Sequence, residues 1–159
     1  MTVATVCEVE PLSVVPGGIA SHAEGWENEA SVFYAHAEGF HVTASGIASH
    51  AEGFNTRAGL QFFGDVNNAD LDNSGTAAHA EGSGSRASGS FSHAEGLSTL
   101  AFGYTSHAEG KETIASGSYS HAEGRQTLAS GGDSHAQGAS TIAAGAASHA
   151  EGRSTTAYG

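Results

Sequence analysis

The pentapeptide Ser49-His50-Ala51-Glu52-Gly53 recurs along almost the whole of this sequence. Nine of the ten histidines lie in copies of it, and consecutive copies start 14 residues apart except for one step of 29 residues. A fixed period this short is the signature of a solenoid, in which each repeat forms one coil. The other copies and near-copies occupy residues 21–25, 35–39, 78–82, 92–96, 106–110, 120–124, 134–138 and 148–152.

Residues 111–124 show one complete repeat, which divides into two halves of seven residues. Each half reads x-x-[Ser/Thr]-x-Ala-x-Gly, so small and larger side chains alternate over five residues and two further residues make a turn. This alternation predicts a short strand with two distinct faces. A glycine at every seventh position and the lack of a 3.6-residue apolar stripe argue against helices.

We therefore predict an all-β fold, a parallel β-roll of 14-residue coils stacked about 4.8 Å apart. Ser, Ala and Gly should point into the roll, and His and Glu should point out of it. The repeat region, residues 21–159, would hold about ten coils at this period.

Two segments depart from the repeat. Residues 1–20 contain a β-prone stretch and two prolines, and we expect them to form a lead-in that caps the first coil. Residues 59–78 lack the histidine motif where the period would place it, which predicts either a degenerate coil or an extruded loop.

Composition limits the function further. The formal net charge is −12 with only five basic residues, which disfavours nucleic-acid binding through phosphates. No run of 18 apolar residues predicts a membrane span, and the N-terminus shows no signal peptide. A core of Ala, Ser, Thr and Gly buries little apolar surface for 159 residues, so we expect oligomerisation to add stability.

The doubled x-x-[Ser/Thr]-x-Ala-x-Gly unit resembles the head repeats of YadA-like (Hep/Hag type) trimeric autotransporter adhesins. Here His and Glu stand where that family's Ser-Val-Ala-Ile-Gly has Val and Ile. The resemblance implies a left-handed roll, a homotrimer and an adhesive role at a cell surface. Similar repeats in phage tail fibres and spore-surface proteins make a virion or another extracellular location the alternative. The host or matrix receptor is not identified by the sequence.

Two columns of side chains should lie on the outside of the roll. We favour placing the His and Glu column at the trimer interface, with Glu promoting the imidazolium form and making the trimer depend on pH. The alternative is a solvated polar face, with the apolar column Leu100, Ile114, Leu128 and Ile142 at the interface instead. The His and Glu column consists of His22, Glu24, His36, Glu38, His50, Glu52, His79, Glu81, His93, Glu95, His107, Glu109, His121, Glu123, His135, Gln137, His149 and Glu151.

Metal binding is a second functional hypothesis, although we expect no required cofactor. Imidazole and carboxylate two residues apart suit zinc, copper or nickel, so the repeat could be a metal-binding His/Glu array. The run Asp70-x-Asp72-x-Ser74-Gly75 resembles the start of a calcium loop with Glu81 at its twelfth position, and an Asn/Asp-rich turn is the alternative.

Catalysis is not predicted. The sequence has no Gly-x-Ser-x-Gly and no His-Glu-x-x-His, and a periodic array lacks residues with differentiated roles. Ice binding by a Thr ladder is a further alternative, disfavoured because these threonines share the inward face with Ala. That ladder would consist of Thr99, Thr113, Thr127, Thr141 and Thr155.

Overall fold

Eighteen strands in two parallel sheets form the described part of the protein. The computed structural model describes residues 19–59 and 75–159, and no helix occurs in these two ranges. The all-β parallel solenoid predicted from the period is confirmed, with nine coils in the described ranges where about ten were expected. The first 18 residues of the expected cap lie outside the described residues.

Each coil contributes one strand of five residues and one of two. The five-residue strands form the long sheet: β1 (His22–Trp26), β3 (His36–Phe40), β5 (His50–Phe54), β7 (His79–Ser83), β9 (His93–Leu97), β11 (His107–Lys111), β13 (His121–Arg125), β15 (His135–Ala139) and β17 (His149–Arg153). The two-residue strands form the short sheet: β2 (Glu29–Ala30), β4 (Thr43–Ala44), β6 (Arg57–Ala58), β8 (Arg86–Ala87), β10 (Leu100–Ala101), β12 (Ile114–Ala115), β14 (Leu128–Ala129), β16 (Ile142–Ala143) and β18 (Thr156–Ala157).

A strand was expected in each half of the repeat, and both halves form one, but the two strands differ in length. Gly110 continues β11 with a φ of +105° and pairs with Gly124 in the next coil. Gly117, at the same place in the other half, starts a turn that is closed by the amide of Ser120 donating to the Gly117 carbonyl. Both halves read Ala-x-Gly, so the pattern alone could not distinguish a glycine within a strand from one at a turn.

The parallel strands pair in register, so residues of the same type lie beside one another along the stack. His107 pairs with His121, and Ala108 pairs with Ala122. The alanines of both sheets point inward and form the core, in which Val42 is the largest apolar side chain. Successive side chains of a strand point to opposite faces, so the residue between the histidine and the glutamate of each long strand is the one that enters the core.

The corners contain residues in the left-handed region. Each complete described coil has two such residues. One lies directly after the long strand, as Glu112 (φ 55°) does, and the other lies in the turn that follows the short strand, as Tyr119 (φ 58°) does. The left-handed region is costly for residues with a Cβ atom, so hydrogen bonds across the stack must hold these corners. The amide of Glu112 donates to the Leu97 carbonyl and that of Tyr119 to the Tyr104 carbonyl.

The irregular segment enters at one corner. His50 pairs directly with His79, and Arg57 pairs with Arg86, so the strands on either side of residues 60–74 belong to consecutive coils. Within the expected irregular range 59–78, residues 60–74 lie outside the described residues. Residues 75–78 form a regular corner, since the Ala78 amide donates to the Gly75 carbonyl as in the neighbouring coils.

Candidate interaction face

One continuous column of histidines runs beside one of glutamates on the outer face of the long sheet. In each long strand the histidine is the first residue and the glutamate the third, with Gln137 replacing it in β15. The alanine between them points into the core, as in His107-Ala108-Glu109. We call this column the His/Glu ladder. It contains His22, Glu24, His36, Glu38, His50, Glu52, His79, Glu81, His93, Glu95, His107, Glu109, His121, Glu123, His135, Gln137, His149 and Glu151.

The imidazole rings of the ladder are stacked. From His50 to His135, neighbouring ring centroids are 4.7–4.8 Å apart and the ring planes differ by 4–6°. The first pair differs, because His22 meets His36 edge-on at 79°. Parallel in-register pairing imposes this spacing, which is the distance between adjacent strands.

Each histidine has a carboxylate close by, at ion-pair rather than hydrogen-bond distance. The Nε2 atom of His79 is 3.5 Å from Oε2 of Glu81 in its own strand. The pairing becomes diagonal near Gln137, which carries no charge: Nε2 of His135 lies 3.5 Å from Oε1 of Glu123, one coil earlier.

The side chains of the ladder are half-buried, but the Nε2 atoms of most of its histidines are fully buried. The side chains of His79 and His121 are each 36% exposed, and that of His22 at the end of the stack is 60% exposed. Seven Nε2 atoms are buried and have no hydrogen-bond partner among the described residues, which is costly for a polar atom. They belong to His36, His50, His79, His93, His107, His121 and His135.

Electrostatics in the middle of the ladder favour neutral groups. Burial lowers the pKa of His107 and of His121. His121 and His93 lower the pKa of His107 further, and His135 lowers that of His121 further. A hydrogen bond with Glu123, followed by burial, raises the pKa of the Glu109 carboxyl. The nearby glutamates raise the pKa of both imidazoles, as expected of carboxylates, but at His107 and His121 burial and histidine–histidine repulsion outweigh them.

The short sheet carries the second outward column, which changes character along the stack. Leu100, Ile114, Leu128 and Ile142 follow one another in register and are half-buried or exposed. In earlier coils the same positions hold Glu29, Thr43, Arg57 and Arg86. The guanidinium carbon of Arg86 lies 5.9 Å from the centroid of the Phe102 ring, so this charge packs beside an exposed aromatic.

Exposed aromatic side chains at the corners were not singled out from the sequence. Tyr104 is in edge-on contact with Phe91 and Tyr119, which lie in the two neighbouring coils. At the ends of β3 and β5, the exposed Phe40 and Phe54 stack with ring centroids 5.4 Å apart. Their common position in successive repeats was the available signal, since equivalent residues of adjacent coils must be neighbours.

The ladder also contains the groups that could hold a transition metal. In three overlapping clusters, two histidines and a glutamate bring one ligand atom each to within 4.8 Å of the others. The clusters are His79–Glu81–His93, His93–Glu95–His107 and His107–Glu109–His121. The calcium candidates Asp70, Asp72 and Ser74 lie outside the described residues, while Glu81 belongs to the ladder.

The threonine column faces the core. Thr99, Thr113, Thr127 and Thr141 are at most 1% exposed, so they cannot present a flat ladder to ice, and only Thr155 in the last coil is exposed. None of the described residues belongs to a helix of the length and apolarity needed to cross a membrane.

Comparison with known families identifies the repeat. Residues 94–120 match the family model for the YadA head domain repeat, in two copies. The predicted resemblance to YadA-like adhesin heads is confirmed there, and the family is one of structural adhesins rather than enzymes. No curated protein matches the chain.

Proposed function

We propose that this chain, whose residues 94–120 are YadA head domain repeats, is a segment of a homotrimeric surface fibre that acts as a structural and adhesive rod. The observation that carries the proposal is the matched repeat within an uninterrupted stack of parallel coils. The left-handed winding and the surface location follow from the same family resemblance.

The core supports association of several chains. Apart from Val42, the buried apolar side chains among the described residues are all alanines, each of which contributes a single methyl group. Apolar area removed from water is the main source of stability, so one such coil gains little on its own. Exposed Leu97, Phe102 and Ile142 offer further apolar area that sister chains could cover.

The His/Glu ladder is the better candidate for the threefold axis. An axis brings three copies of each residue together at one height, so the column that lines it must suit the axis along its whole length. The short-sheet column would bring together three copies of Arg57 and three of Arg86, which is costly for charges without partners. The ladder has the same composition from His22 to Glu151 apart from Gln137.

The apolar column would then lie on the flank of each protomer. In a threefold assembly every chain contacts two neighbours, so the region from Leu100 to Ile142 can add to the contact without lining the axis. This division of roles accounts for a uniform ladder beside a column that becomes apolar only in the later coils.

The mass of the protein in solution tests the homotrimer, and a charge-reversal variant tests whether the His/Glu ladder lines its axis. We expect light scattering to give three times the chain mass of 15.9 kDa. Glu109→Lys would place three ammonium groups at one height on the axis and should dissociate the trimer. Arg125→Glu changes the charge by the same amount at an exposed position of the next long strand and should leave the mass unchanged.

Two results would count against this proposal. If the wild-type chain is a monomer in solution, the homotrimer proposal is wrong. If the Glu109→Lys variant is still a trimer, the His/Glu ladder does not line the axis and faces solvent instead. The fibre role has its own test, because an antibody against the solenoid should label intact producing cells. Labelling that requires cell lysis would contradict the surface location.

A further inference from the structure

The covered nitrogen atoms of the His/Glu ladder have no partner that the described chain supplies. Nε2 of His79, His93, His107 and His121 are each buried and make no hydrogen bond within residues 19–59 and 75–159. The glutamate oxygens nearest to them are 3.5–4.0 Å away, beyond hydrogen-bond distance and wide enough for a shared ion between them. These atoms face their own strand neighbours, so a sister chain does not need to complete the set.

We propose that the His/Glu ladder binds divalent transition-metal ions of the zinc type, at His79–Glu81–His93 and at His107–Glu109–His121. Imidazole nitrogen and carboxylate oxygen are normal zinc ligands, at about 2.0–2.2 Å from the metal. Two histidines and one glutamate leave the fourth tetrahedral position for water. Calcium and magnesium prefer oxygen ligands and are not expected at these clusters.

Geometry requires only a small adjustment of the rings. The ligand atoms of each cluster lie within 4.8 Å of one another. Two nitrogens on a tetrahedral zinc ion are about 3.3 Å apart, given the usual zinc–nitrogen distance. The two imidazoles must therefore tilt toward each other, which is feasible because both side chains are only half-buried.

Sharing of ligands fixes the stoichiometry. His93 belongs to the first and second clusters, and His107 to the second and third. One Nε2 atom binds one zinc ion, so occupation of the first and third clusters leaves the middle one without nitrogen ligands. The three clusters of one chain should hold two ions, two coils or roughly 10 Å apart.

Zinc titration of tag-free protein by calorimetry tests this stoichiometry directly. The wild-type chain should bind two ions, while His93→Ala and His107→Ala should each bind one and the double variant none. His149→Ala is the matched control, because His149 is stacked in the same ladder outside the three clusters, and it should still bind two. Circular dichroism of each variant checks that the solenoid remains folded.

The outcomes separate this inference from the trimer proposal. Binding that persists in the folded double variant, or no heat in the folded wild type, would overturn the metal sites. A stoichiometry of two ions per three chains would also overturn them, since it would place the ions on a symmetry axis. The mass measured with a chelator reports the trimer alone, so a chelator-resistant trimer can coexist with either metal result.

Discussion

A Cβ atom on Gly117 would lie 1.9 Å from the carbonyl oxygen of Gly131 in the next coil. The same contact recurs one coil later, between Gly131 and Gly145 at 2.0 Å. The φ of Gly117 is not in the left-handed region, so this glycine is required by the spacing of the coils rather than by its own backbone angles.

Gly117→Ala should therefore destabilise the solenoid. The obstacle is backbone, which cannot rotate away, and the free energy of unfolding should fall by about 3 kcal/mol or more. Thermal unfolding followed by circular dichroism measures the change. Gly132→Ala is the control, because its Cβ would meet only the Ser118 carbonyl oxygen at 3.8 Å. Equal melting temperatures for the two variants would show that the coils can separate to admit a methyl group.

A second prediction concerns a buried hydroxyl. Thr113 is fully buried, and its Oγ1 has no hydrogen-bond partner among the described residues. Thr113→Val should raise the free energy of unfolding by about 1 kcal/mol, since a methyl group carries no such desolvation cost. Val42 already occupies the equivalent position in an earlier coil and is fully buried there.

Thr99→Val is the matched control for that substitution. The hydroxyl of Thr99 donates to Oγ of Ser85 at 3.0 Å, so the same change removes an existing bond and should give no gain. Chemical unfolding of both variants compares the two sites. A stabilised Thr99→Val beside an unstabilised Thr113→Val would contradict the assignment of the unpartnered hydroxyl.

A third prediction uses two adjacent alanines at one corner. Ala147 has a φ of 54°, whereas Ala146 is not in the left-handed region, and both are exposed. Ala147→Gly should relieve about 1 kcal/mol of backbone strain, partly offset by the flexibility of glycine in the unfolded chain. Ala146→Gly should only destabilise. The difference between their melting temperatures is the test, and the opposite order would disprove the strain.

A fourth prediction concerns Asn28, the buried amide that joins the first two described coils. Its Nδ2 donates to the Gly39 carbonyl at 2.8 Å, and its Oδ1 accepts from the Val42 amide at 2.9 Å. Asn28→Ala would leave both backbone groups without these partners and should cost about 2–3 kcal/mol. Ser116→Ala serves as control, because Ser116 is exposed and is not in the left-handed region. Hydrogen exchange at the Val42 amide should accelerate in Asn28→Ala, and unchanged protection would count against this role.

Periodicity predicted the architecture because each coil repeats the same small residues at alternate positions. The inward Ala108 and Thr113 and the outward His107 and Glu109 follow directly from that alternation. Non-glycine residues such as Tyr119 in the left-handed region were not predictable, since the corner positions vary freely in sequence and hydrogen bonds between coils determine their conformation.

The candidate site was predictable in composition but not in electrostatics. The histidines and glutamates were known to share one face, yet the direction of the pKa change at His107 depends on stacking and burial that only coordinates give. The step of 29 residues was also ambiguous, because it equals both two periods plus one residue and one period plus fifteen residues. The first division predicts an extra, degenerate coil, and the second predicts a loop between consecutive coils. The pairing of His50 with His79 resolves it in favour of consecutive coils.

The corner between Gly59 and Gly75 admits fifteen residues while the strands on both sides keep their partners. Equivalent corners recur at every coil of the described stack, so foreign peptides could be grafted there without altering the hydrogen-bonded ladder. Neighbouring attachment points would be about 4.8 Å apart, the spacing of adjacent strands, so epitopes could be displayed on this solenoid at chosen multiples of that distance.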